Sequence, residues 1–149
     1  MYTFVQTNRK YRPMTFAQIA TLYVCAVPVF FAIDMLWLGF VAKSFYRSRL
    51  GDLLLTDFNW VAGFSFYFLY IVGILVFAVL PALEAGSLTR ALVLGAFFGF
   101  IAYATYDLTN LATLRNWSLA VSLVDMAWGA VLTGSVSTLV YLIGRKLFF

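Results

Sequence analysis

Long apolar runs interrupted by single charges set the pattern of this chain. Phe58 to Leu83 holds no charged residue, while Pro13 to Ala42 holds only Asp34, Ala91 to Leu114 only Asp107, and Asn116 to Gly144 only Asp125. Each run contains the roughly 20 apolar residues that cross a bilayer core of about 30 Å as a helix. The runs are continuous rather than alternating, which excludes a membrane β-barrel. Helices satisfy their own backbone hydrogen bonds in lipid. The pattern predicts transmembrane helices over about 16–42, 58–83, 90–113 and 118–143. The connections at 43–57, 84–89 and 114–117 are short, and short loops favour antiparallel neighbours. The predicted fold is therefore all-α, a four-helix transmembrane bundle, with residues 1–149 forming one integral membrane domain. Pro81 is expected to end the second helix, with a tight turn through 83–87.

Composition narrows the class. Of 149 residues, 64% are apolar and only ten basic and six acidic residues are present. Soluble domains carry about 25% charge and about 45–50% apolar residues. A chain this short cannot hide so much apolar surface in its own interior, so a soluble enzyme, a nucleic-acid binder and a disordered chain are all excluded. The apolar run after the basic first fifteen residues is too long for a signal-peptide core and lacks a small-residue cleavage site, so it is expected to stay as the first helix. With Cys25 as the single cysteine and no histidine, the chain offers no disulfide framework, iron–sulfur cluster, His-ligated haem or His-based zinc site. No cofactor and no metal are expected.

Basic residues suggest an orientation. Four spans put both termini on one side, together with Arg9, Lys10, Arg12, Arg90, Arg145 and Lys146, against Lys43, Arg47, Arg49 and Arg115 on the other. The excess places both termini in the cytoplasm. The net charge of +4 is ordinary for basic flanks and implies no nucleic-acid partner.

Three acidic residues, Asp34, Asp107 and Asp125, lie inside predicted spans that contain no lysine or arginine. At 1.5 Å per residue they sit roughly 12, 9 and 11 Å from the helix ends nearest the 43–57 and 114–117 loops, so all three fall in one leaflet. Carboxylates at that depth usually face the bundle interior. At 100° per residue, polar and aromatic residues share their faces: Tyr23, Phe30 and Trp37 with Asp34; Trp60, Gly63, Tyr67 and Tyr70 on the second helix; Gly99, Tyr103, Tyr106 and Asn110 with Asp107; Ser118, Ser122, Trp128 and Gly129 with Asp125. The expectation is an inward cavity holding Asp34, Trp37, Tyr67, Tyr103, Tyr106, Asp107, Asn110, Asp125 and Trp128 as a ligand or proton site. A carboxyl held neutral there can donate hydrogen bonds, pass a proton or await a cation. Each carboxyl taken alone is equally explained as an interhelical hydrogen bond that fixes packing.

Smaller signals accompany this one. Asp34-Met35-Leu36-Trp37 and Asp125-Met126-Ala127-Trp128 echo each other, with each Trp expected to cover or donate to the Asp three residues before it. Gly95-xxx-Gly99 is a close-packing pattern that serves either the bundle or a dimer face. The 43–57 stretch reads as an amphipathic segment that caps the cavity, or as plain loop.

Several of these segments carry a family resemblance. Asp34-Met35-Leu36-Trp37-Leu38-Gly39, Phe45-Tyr46-Arg47, Leu50-Gly51, Pro81-Ala82-Leu83, Thr105 to Leu114 with Trp117, and Asp125 with Trp128-Gly129 together resemble a bacterial membrane-protein family, domain of unknown function 2177. The run Tyr106-Asp107-Leu108-Thr109-Asn110-Leu111-Ala112-Thr113 is the most specific part. The resemblance implies a small bacterial inner-membrane protein, points toward lipids, and lends no catalytic residue. Three functions stay open. One is binding or proton-linked carriage of a small or amphiphilic molecule, which needs a homodimer because four helices make a thin pathway. The second is a lipid-modifying enzyme with an Asp as acid or base, where three carboxylates and Asn110 hold a hard cation. The third is an accessory subunit of a larger membrane complex. Membrane lipids are partners in each.

Overall fold

A computed structural model describes residues 14–149, and every regular element among them is helical. Helix α1 (Phe16–Leu36) runs into a π-helical turn (Trp37–Val41), then α2 (Lys43–Leu50) and a short 3-10 turn (Gly51–Leu53). Helix α3 (Trp60–Ile74) continues through a second π-helical turn (Leu75–Val79) into α4 (Leu80–Ala85). Helices α5 (Leu88–Thr113) and α6 (Leu119–Phe148) complete the chain. Four stretches are long and apolar enough to cross a membrane: Phe16–Phe40, Trp60–Ala85, Leu88–Thr113 and Leu119–Phe148.

Local chemistry sets where each span begins. Thr15 and Gln18 form a reciprocal capping box at α1, and Asn59, Ser87 and Ser118 accept from backbone N–H groups at the starts of α3, α5 and α6. Such caps satisfy donors that the first turn leaves unpaired. Pro81 does not end the second span. The π turn just before it rearranges the hydrogen-bond ladder, and Pro81 then sits in the first turn of α4, where a missing N–H is tolerated. The helix instead stops at Gly86, whose left-handed φ of 62° suits a residue without a Cβ.

Packing is polarised along the bundle. Near the chain ends, Leu22 and Phe30 of α1, Ile71 and Ile74 of α3, and Val136 and Val140 of α6 form a fully buried core. Gly144 of α6 lies against Leu22 and Leu83, which brings the start of α1 and the ends of α4 and α6 to one end. Helices α5 and α6 form the most extensive pair. Gly95 and Gly99 have no room for a side chain: a Cβ on Gly95 would lie 2.8 Å from the Thr133 carbonyl oxygen, and one on Gly99 would strike Thr133 and the Gly129 backbone. The Gly-xxx-Gly stripe thus works inside the bundle, against Gly129, Thr133 and Ser137 at the same four-residue spacing.

The outer surface is apolar, with Phe16, Leu69, Phe77, Phe97 and Leu139 all exposed. The threonines along α5 satisfy their hydroxyls within their own helix. Thr105, Thr109 and Thr113 donate to the carbonyls of Ile101, Thr105 and Thr109, at 2.8, 2.5 and 2.7 Å. This is the arrangement that a surface facing hydrocarbon requires.

Candidate functional site

At the end of the bundle away from the termini, α3 and α5 separate. Tyr70 still joins them, stacking on Phe98 at 5.4 Å and donating to, or accepting from, Thr133 at 2.8 Å. Beyond Tyr70 a cavity of about 380 Å³ opens. Its inner wall is Asp34 and Leu38 from the first span, with Asp125 and Trp128 from α6. Phe58, Gly63, Phe66 and Tyr67 line the α3 side, and Ala102, Tyr103 and Tyr106 the α5 side. Tyr46 of α2 lies over it. Phe66 and Tyr106, on opposite sides, are themselves exposed, so the cavity has a lateral mouth between α3 and α5.

Two carboxyls are held here by aromatic donors. Trp128 Nε1 donates to Asp34 Oδ1 at 3.3 Å. Trp37 Nε1 donates to the Tyr46 hydroxyl at 3.2 Å, and that hydroxyl donates to Asp125 Oδ1. The two indoles stack, 4.4 Å between centroids and 10° between planes. Asp34 is only 3% exposed, and Tyr67 stands beside it. Burial, then the bond to Asp125, push the Tyr46 phenol well above the usual tyrosine range, so it remains a donor.

The π turn makes this arrangement possible. Its i→i+5 bond, Ala42 N–H to the Trp37 carbonyl at 2.9 Å, replaces the last α turn where α1 leaves the bundle. The chain then folds back as α2, and Tyr46 reaches Asp125 across 79 residues of sequence. Arg47 and Arg49 stay exposed on α2, with Arg49 over the Phe45 ring at 4.6 Å.

Six of the nine sequence-derived site residues line the cavity: Asp34, Tyr67, Tyr103, Tyr106, Asp125 and Trp128. Trp37 supports it from behind through the stack. Asp107 and Asn110 do not line it. One residue on from Tyr106 is a 100° turn of the helix, which carries Asp107 from the cavity side toward α6. There it is fully buried, both carboxyl oxygens lack a partner, and its backbone carbonyl accepts from Ser122 at 3.4 Å. Of the three carboxyls expected together, Asp34 and Asp125 line the cavity, and Asp107 lies behind its wall within electrostatic reach of Asp125. Among the described residues no three acidic or sulfur side chains gather to hold a metal ion, so the hard-cation arrangement with Asn110 does not form.

Two further expectations change. Each Trp of the Asp-x-x-Trp echo serves the opposite carboxyl rather than its own, because the facing helices bring Trp128 to Asp34 and Trp37 to Tyr46. Trp60 is exposed and stacks along the outer edge on Phe64 at 5.8 Å, off the inward stripe. Tyr46, Phe58 and Phe66 complete the cavity without having been singled out as site residues. The amphipathic character of the 43–57 stretch signalled Tyr46, whereas nothing local marks Phe58.

A family model described as "Predicted membrane protein (DUF2177)" matches residues 19–142. No curated protein and no solved structure matches the chain.

Proposed function

The chain belongs to the DUF2177 family of predicted membrane proteins, and from that premise we propose that it binds, or carries in exchange for a proton, a small amphiphilic molecule. One observation carries this reading: a cavity with two carboxyls on its inner wall and a mouth on the apolar side surface. A water-soluble ligand has no use for such a mouth, whereas a molecule dissolved in the bilayer enters through it. The volume of about 380 Å³ falls within the about 300–1,000 Å³ of small-molecule sites. The Trp128 and Tyr46 bonds fix the carboxyl positions before a ligand arrives, which lowers the ordering cost of binding. Either carboxyl, alone in apolar surroundings, exchanges its charge for a proton when the ligand leaves.

The excess of basic residues beside the termini favours an inner-membrane protein with both ends in the cytoplasm. Transport rather than binding requires a second copy, because four helices enclose little pathway.

The test is to recover the protein in native-membrane nanodiscs and compare extracted small molecules by mass spectrometry with an Asp34→Asn/Asp125→Asn variant. Asn keeps the oxygen that Trp128 and Tyr46 address. The expected result is an amphiphile enriched over bulk lipid in the wild type, released at low pH and missing from the variant. Equal extracts from both proteins would overturn the reading.

A further inference from the structure

We infer that the ligand is a single-chain amphiphile with an ammonium head, the head between Asp34 and Asp125 and the chain in a second, apolar cavity; this rests on the binding reading above. The second cavity, about 320 Å³, lies between the first span and α3 and is walled by Phe31, Met35, Trp60 and Phe64. It shares Leu38, Phe58, Gly63 and Tyr67 with the first. These four shared residues lie at the boundary between a carboxyl-lined chamber and an apolar one.

The partition is thin where α3 carries Gly63. The Phe58 ring covers that glycine so closely that a Cβ there would lie 2.7 Å from Phe58 Cζ. Phe58 comes from the non-helical stretch before α3 and is exposed. No helical ladder holds its backbone, so a turn of this ring away from Gly63 joins the two chambers into one slot, polar at one end and apolar at the other.

Charge selects the head. Among the described residues, no lysine or arginine lines either cavity. A phosphate or carboxylate head would face two acids and no compensating cation, a costly placement in an apolar medium. An ammonium group instead finds the two carboxyls that line the chamber, each already oriented through its Oδ1 by Trp128 or Tyr46. Trp128, Tyr67 and Tyr103 in the wall supply aromatic rings of the kind that attract an ammonium group. An alcohol head makes hydrogen bonds there and gains neither charge term.

The experiment is thermal unfolding of the full chain in neutral detergent with four probes: dodecylammonium, dodecanol, dodecanoate and butylammonium. The Asp34→Asn/Asp125→Asn variant, with each single variant beside it in case the pair folds poorly, subtracts the effect of each probe on the micelle. Dodecylammonium is expected to raise the wild-type midpoint and leave the variants unmoved. Butylammonium should need at least about tenfold higher concentration, because eight fewer methylenes are buried. Equal stabilisation by dodecanol or dodecanoate overturns the head assignment, equal stabilisation by butylammonium overturns the joined slot, and no effect of dodecylammonium overturns both. An amphiphile enriched in the nanodiscs alongside that last result leaves the binding reading standing, and no enrichment removes it as well.

Discussion

The indoles of Trp37 and Trp128 lie face to face, 4.4 Å between centroids, and each supports the carboxyl that opens the other's Asp-x-x-Trp segment. Trp128 donates directly to Asp34, and Trp37 supports Asp125 through the Tyr46 hydroxyl. The two Asp-x-x-Trp segments thus exchange donors across α1 and α6, and the stack ties the two carboxyl positions together.

Stacked indoles couple optically. Circular dichroism of the wild type should show an exciton couplet that disappears in Trp37→Phe and in Trp128→Phe alike. Trp128→Phe also strips Asp34 of its donor, and denaturant titration in detergent should show a loss of roughly 1–3 kcal/mol. A couplet that survives either substitution would mean the rings are not paired.

Tyr46→Phe removes the donor to Asp125 and the acceptor of Trp37 together, a loss of roughly 1–3 kcal/mol in the same titration. The phenol is held above the usual tyrosine range, so its contribution is complete below the unfolded value near about pH 10 and fades only as pH rises through the higher folded value. Wild-type and Tyr46→Phe stabilities should stay separated by a constant amount through neutral pH and converge only in strong alkali. Convergence on the acid side of pH 10 would contradict the raised phenol.

Small residues at the α5–α6 contact carry the opposite expectation from a free glycine. Gly99→Ala drives a methyl into Thr133 and the Gly129 backbone and should cost roughly 1–3 kcal/mol. Nothing lies within 4 Å of a Cβ on Gly39, so Gly39→Ala should be neutral or stabilising by about 0.5–1 kcal/mol. Unfolding of both variants in detergent checks the contrast.

Asp107 and Asp125 should separate under substitution. Asp107 is fully buried and its carboxyl oxygens have no partner, so Asp107→Asn removes an uncompensated carboxyl and is expected to leave stability unchanged or raise it by up to roughly 1–3 kcal/mol. Asp125→Leu orphans the Tyr46 hydroxyl and should cost roughly 1–3 kcal/mol. Side-by-side unfolding curves decide it, and a marked loss in Asp107→Asn would reveal a partner for that carboxyl.

The membrane spans were legible because the bilayer imposes length: a charge-free run from Phe58 to Leu83 has few other uses. That Asp34 and Asp125 stand at one level of the bundle, where both line the cavity, was legible too, since rise per residue converts position into height. The burial of Asp34 followed from the cost of a carboxyl in hydrocarbon. Which face each side chain presented was less secure. The 3.6-residue period drifts over a long helix, and a step of one residue separates Tyr106 at the cavity from Asp107 against α6. The two π turns shifted the register further, and no residue pattern announced them.

Hydropathy and the spacing of charges alone determined that the chain is a four-span helical membrane protein with carboxyls near one end, because lipid penalises every alternative through the backbone. The tertiary structure decided which carboxyls share a chamber, which indole serves which acid, and that Tyr46 folds back from α2 to reach Asp125. Those outcomes depend on how α1, α3, α5 and α6 rotate and separate, and that is fixed by contacts such as Gly99 on Gly129 and Trp37 on Trp128 between residues far apart in the chain.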